Sequence, residues 1–217
     1  MVDANDAMPP KATALHAVRL PATGGDTQFV NMQEAYDALP EVTRQRIDGR
    51  LARHVYQSRY SAGMLPQLAG EKRKTIGAAS VLHPLIRTHP ESGRKAIYIN
   101  PIRIEEIVGM ETEEALALLD ELLAHSTELR FEYRHKWKAG DTVIWDNRCL
   151  LHKANGDYPV AQVRYLYRRM LKGDKPVWPT SVRGRSVGLG GPCRPISAAT
   201  AATPCRTTRR PSSSPAS

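Results

Sequence analysis

The chain has 217 residues, 31 of them Lys or Arg and 22 Asp or Glu, for a formal net charge of +9. The six Arg and no acids between Pro176 and Ser217 put +6 of that charge on the C-terminal segment and leave only +3 on the rest. That distribution argues against a fold built around a nucleic-acid surface, and no apolar run is long enough for a transmembrane helix.

Apolar (41%) and charged (24%) fractions are those of a globular domain. Met1 to Pro10 carries Asp3 and Asp6 and has neither the basic nor the apolar region of a signal peptide. Cys149, Cys193 and Cys205 form no CxxC pair and no disulfide framework, so the cytoplasm is the expected compartment.

In chain order, residues 15–20 read as a strand ending at Pro21 and a Gly24-Gly25 turn. Asn31 is placed to cap a helix running through Glu34, Ala35, Tyr36 and Leu39 to Pro40. A second helix is predicted over 42–54 and a surface loop over 57–80. Strands are predicted over 82–88 and 96–100, around a Pro90-Glu91-Ser92-Gly93 turn. Residues 112–125 are the clearest helix, with acids in the first turn and an apolar face of Leu116, Leu119, Leu122 and Leu123. Strands resume over 131–137, 142–145 and 163–170. Many strands, few helices and no regular βαβ repeat predict a mainly β sandwich or barrel with helical insertions. The Pro/Ser/Thr/Gly/Ala-rich segment beyond about residue 177 is predicted to be disordered, because it has little apolar area to offset its ordering entropy.

Of the seven His, His54, His83, His89, His125 and His135 read as surface or hydrogen-bonded core residues, and His16 as structural. His152 lies between two polar turns, where a strand end could present it as a metal ligand; a structural role is the competing reading. Arg164 and Arg168 are four apart in a strand-like segment and so share a face. Turned inward, they require anionic partners; turned outward, they form a basic stripe with Arg169. Thr27, after Gly-Gly-Asp, could offer its hydroxyl to the same anion.

Collinear motifs sharpen this. The runs Leu20-Pro21-Ala22-Thr23-Gly24-Gly25-Asp26-Thr27-Gln28-Phe29, Ala35-Tyr36-Asp37-Ala38-Leu39-Pro40, His83-Pro84-Leu85-Ile86-Arg87-Thr88-His89-Pro90 and Trp145-Asp146-Asn147-Arg148-Cys149-Leu150-Leu151-His152-Lys153-Ala154-Asn155-Gly156-Asp157-Tyr158, with Gly173-Asp174-Lys175-Pro176, resemble the taurine dioxygenase/TfdA family. The resemblance covers residues 1–177, leaving 178–217 as a tail outside it.

It implies a double-stranded β-helix (jelly-roll) oxygenase that uses Fe(II), with 2-oxoglutarate as cosubstrate. Such an enzyme hydroxylates a small, usually anionic substrate with O2 and releases succinate and CO2. It needs no nucleic acid or membrane, and leaves the oligomeric state open. His152 matches the distal iron ligand, Thr27 and Arg164 the residues that hold the cosubstrate carboxylate, and Arg168 the arginine facing the substrate anion.

The family's HxD motif falls on Met1-Val2-Asp3, so Asp3 matches the carboxylate ligand while Met1 stands at the His position. The expectation is an N-terminally incomplete jelly roll, impaired as an enzyme. The alternative is a non-catalytic jelly roll that still binds a small carboxylate.

Overall fold

The structure, a computed structural model, describes residues 5–56, 58 and 80–177. Asp3 and Met1, nearly all of the predicted 57–80 loop, and the 178–217 tail lie outside the described residues.

The chain is mainly β. Strands β1 (Ala12–Arg19) and β2 (Thr27–Asn31) lead into helices α1 (Met32–Asp37) and α2 (Glu41–Ile47). Strands β3 (Leu51–His54), β4 (Val81–Pro84), β5 (Ile86–Thr88), β6 (Lys95–Ile97) and β7 (Ile104–Ile107) precede the long helix α3 (Thr112–Ser126). The chain closes with β8 (Glu132–His135), β9 (Thr142–Asp146), β10 (Leu150–Ala154) and β11 (Tyr165–Leu171).

Three antiparallel sheets have the orders β11-β1-β9, β10-β2-β8 and β4-β3-β7, and β5 and β6 form a hairpin. The first two meet through aromatic side chains. Phe29 of β2 packs edge-on against Trp145 of β9, with ring centres 5.2 Å apart. The core continues through Val30 and Leu150 to Ile97 and to Leu118, Leu119 and Leu122 of α3.

Local chemistry explains most elements. The Asn31 side chain accepts hydrogen bonds from the Gln33 and Glu34 N–H groups, capping α1 as expected. In α3 the fully buried residues are Ala115, Leu118, Leu119, Leu122 and Ser126, while Leu116 and Leu123 pack at the margin. The buried stripe is thus rotated from the predicted one.

Two predicted elements are corrected. The second helix stops at Ile47; the chain reverses through Gly49 at φ +73° and enters β3, whose residues alternate between buried and half-buried. The predicted strand over 82–88 is two strands in different sheets, broken at fully buried Leu85, whose N–H bonds to the Arg50 carbonyl. Strands β2, β7 and β10 were not predicted; β10 places His152 within a strand rather than at the end of one.

Candidate functional site

Gly24 and Gly25 both adopt φ +74°, a left-handed conformation that side chains disfavour. A Cβ on Gly24 would lie 2.3 Å from the Asp157 carbonyl oxygen, and one on Gly25 would lie 3.2 Å from Arg164 Cδ. The turn is therefore glycine because the 157 loop and the Arg164 side chain lie directly against it. The Gly25 N–H donates to Asp157 Oδ1 at 2.8 Å, which holds the Asp157 carboxyl below its ordinary range. Arg134 then bridges Asp26 and Asp157 at 2.9 and 3.0 Å.

This brace orients Arg164. Its Nε donates to the Gly25 carbonyl at 2.8 Å and its Nη2 to Thr27 Oγ1 at 3.2 Å. Trp137 Nε1 donates to the same Thr27 oxygen at 3.0 Å. Thr27 is buried, and its hydroxyl oxygen accepts from both groups. Its proton is thereby left to point at a third group, which must be an acceptor. Arg164 forms no ion pair with a carboxylate among the described residues, and burial lowers its pKa. The Asp26 charge acts on Arg164 without reaching ion-pair contact, so the guanidinium and the hydroxyl donor held beside it are suited to an incoming carboxylate.

His152 stands opposite Phe29 across the β10–β2 pair. Its ring lies 4.8 Å from Trp145 and 6.2 Å from Phe29, between the two sheets. Burial, with the Arg168 charge acting in the same direction, lowers its pKa to about 3. It is therefore neutral at physiological pH, the form that ligates a metal.

Arg168 differs from the expectation of an inward pair. Arg164 precedes β11 and is half-buried, whereas Arg168 lies within β11 and is exposed. It pairs in register with Leu15, which packs against the core, so it belongs to the inward side of the strand. The exposure arises because β11 is an edge strand of its sheet and buries none of its residues among the described residues. Asp3, the expected second ligand, lies outside the described residues.

A separate ion-pair network anchors the β9–β10 turn. Asp146 accepts from Arg148 at 2.6 Å and from His89 at 3.1 Å, and Arg148 also reaches Glu91 at 3.0 Å. Burial opposes ionisation of Asp146, but the His89 and Arg148 hydrogen bonds outweigh it and hold the carboxyl below its usual range. His89, Asp146 and Cys149 place side-chain N, O and S atoms within 4.8 Å of one another, but the Cys149 sulfur is disulfide-bonded and is no thiolate ligand. With its carboxylate already engaged, Asp146 acts there as an anchor. Trp137 belongs to no motif; Asp157, His89, Asp146 and Arg148 lie within the family-like runs, but only their long-range contacts reveal what they hold together.

Residues 4–170 match the family described as "Taurine catabolism dioxygenase TauD, TfdA family". The chain belongs to this family. It is 42% identical over 160 residues to an alpha-ketoglutarate-dependent 2,4-dichlorophenoxyacetate dioxygenase of Burkholderia sp. (strain RASC), covering 73% of this chain and 52% of that protein. It is 36% identical to an alpha-ketoglutarate-dependent sulfate ester dioxygenase of Pseudomonas putida, covering 77% and 57%. The chain spans about half the length of these relatives. The fold superposes on the crystal structure of AAD-2 in complex with Mn(II) and N-oxalylglycine with a TM-score of 0.72 at 34% identity, covering 80% of this chain and 68% of that one. A taurine dioxygenase from Burkholderia xenovorans gives a TM-score of 0.70 at 34% identity, covering 82% and 59%. The architecture is thus the jelly roll that the motifs implied.

Proposed function

We propose that this chain carries the cosubstrate site and part of the metal site of an Fe(II)- and 2-oxoglutarate-dependent dioxygenase that hydroxylates a small anionic organic substrate. The carrying observation is the joint arrangement of Arg164 and Thr27: a guanidinium in no ion pair among the described residues beside a hydroxyl whose acceptor capacity is already used. Arg164 and Thr27 hold the distal carboxylate of 2-oxoglutarate. His152 and Asp3 are the iron ligands in this chain, and Arg168 faces the substrate anion. Bound Fe(II) and 2-oxoglutarate supply the oxidising chemistry, with release of succinate and CO2. The residues' own work is to orient the cosubstrate, keep His152 deprotonated, and enclose the site between Phe29, Trp137 and Trp145.

The names of the relatives support an anionic substrate, and no helix among the described residues is long and apolar enough to cross a membrane. A cytoplasmic location goes with this reading. Mn(II) affinity, measured with and without 2-oxoglutarate, tests it. The cosubstrate should tighten metal binding, and His152→Ala should weaken the metal by well over the 10–100-fold typical of losing a supporting residue. Mn(II) binding indifferent to both would contradict the assignment.

A further inference from the structure

Thr27 lies directly opposite His135 across the β2–β8 pair, and Trp137 follows His135 by two residues. The Trp137 ring lies 4.6 Å from the His135 ring and nearly perpendicular to it, at 84°. His135 is buried, and its Nε2 donates to Asp141 Oδ2 at 3.2 Å, because a carboxylate only accepts. Its Nδ1 lies 3.4 Å from the Tyr133 hydroxyl, so both edges of the imidazole are held. The same Asp141 oxygen accepts the Lys138 N–H at 2.8 Å and closes the β8–β9 turn. Two backbone bonds pin that turn to β1. The Gly140 N–H donates to the Ala17 carbonyl at 2.8 Å, and the Ala17 N–H to the Asp141 carbonyl at 2.9 Å.

The consequence falls on Thr27. An indole N–H is a donor only and, unlike a hydroxyl or an amide, cannot exchange roles by rotating. While the indole and Arg164 occupy both lone pairs of the Thr27 oxygen, the hydroxyl can only donate. With the indole turned away, one lone pair is free and the hydroxyl can equally accept from a neutral donor. The perpendicular His135 ring blocks that turn, and Asp141 fixes His135. Residues 135–141 thus set the direction of a proton on β2.

We infer that Trp137, held by His135 and Asp141, is a positioning residue that makes the Thr27 hydroxyl an obligate donor to the cosubstrate carboxylate. The inference rests on the function proposed above and deepens it by naming what fixes the second donor of the clamp. The competing account is that Trp137 only fills space beside Thr27.

Calorimetric titration of 2-oxoglutarate into the 217-residue chain with Mn(II) separates the two. Trp137→Phe keeps an aromatic ring and removes the N–H. It should weaken 2-oxoglutarate by about three- to tenfold, the contribution of one hydrogen bond. In a Thr27→Val background the same change should have no effect beyond about twofold, since Trp137 acts through that hydroxyl. Asp141→Asn should give a smaller loss that disappears in the Trp137→Phe background. In proton–nitrogen correlation NMR spectra of the native chain with diamagnetic Zn(II), the Trp137 indole N–H signal should move when 2-oxoglutarate is added. The Thr27 oxygen becomes a stronger acceptor once its own proton is bound by the carboxylate. Native-like binding in folded Trp137→Phe, an equal loss with and without the Thr27 hydroxyl, or an unmoved indole signal would overturn the inference. Arg164→Met reports on the cosubstrate assignment alone. If it binds like the native chain, that assignment fails; a loss there beside an unaffected Trp137→Phe removes only the positioning role.

Discussion

The Thr27 oxygen accepts from Arg164 and Trp137 at once, so its hydroxyl proton has one direction left to point. Thr27→Val keeps the shape and removes that donor. A lost hydrogen bond to a charged group is worth about 1.5–3 kcal/mol, so 2-oxoglutarate affinity by calorimetry should fall by about ten- to a hundredfold, with little change in secondary structure. Gly24→Ala meets two obstacles, φ +74° and a backbone oxygen 2.3 Å from the new Cβ. It should lower stability by about 1–3 kcal/mol in denaturant titration and weaken the cosubstrate as Arg164 shifts.

His54 gives a pH prediction with a definite sign. Its pKa is about 3 when folded against an ordinary value of 6.5, and the groups that face it are His83 and Tyr98. The unfolded chain binds the proton first as pH falls. The His54 contribution to stability is therefore complete above about pH 6.5 and is lost progressively down to about pH 3. Denaturant midpoints measured from pH 7 to pH 4 should fall more steeply in the native chain than in His54→Gln.

At the scale of elements, the α1 cap and the Gly24-Gly25 turn were readable from single residues, whereas the Gly49 turn that ends α2 was not. Asn31 was legible as the cap of α1, and Asn31→Ala should cost about 1 kcal/mol of unfolding free energy. Strand β3 was not legible. Leu51-Ala52-Arg53-His54 suits a helix locally, and only pairing with β4 and β7 makes it a strand. The break at Leu85 was hidden for the same reason, since a switch between sheets leaves no mark in a continuous apolar run. The site was legible to the extent that it lies in contiguous motifs: Gly24 to Thr27, His152 and Arg164. Trp137 is 110 residues from its partner Thr27, and no local pattern links them.

At the scale of the molecule, the Arg148 network ties the β5–β6 turn to the β9–β10 turn, and β10 carries His152. Arg148 is almost fully buried, so Arg148→Met leaves the Asp146 carboxylate with the His89 hydrogen bond but without its guanidinium partner. That change should cost about 3–5 kcal/mol, read by denaturant unfolding. The charge distribution fits this interior design: the arginines that matter are those held against Gly25, Tyr98 and Asp146 rather than a basic surface.

The central claim is that Arg164 is the carboxylate clamp for 2-oxoglutarate. Its most direct test is calorimetric binding of 2-oxoglutarate to the Mn(II)-loaded chain, comparing wild type, Arg164→Met and the exposed Arg169→Met. The account expects Arg164→Met to lose at least tenfold in affinity while Arg169→Met stays near wild type. Equal affinity in all three would contradict it.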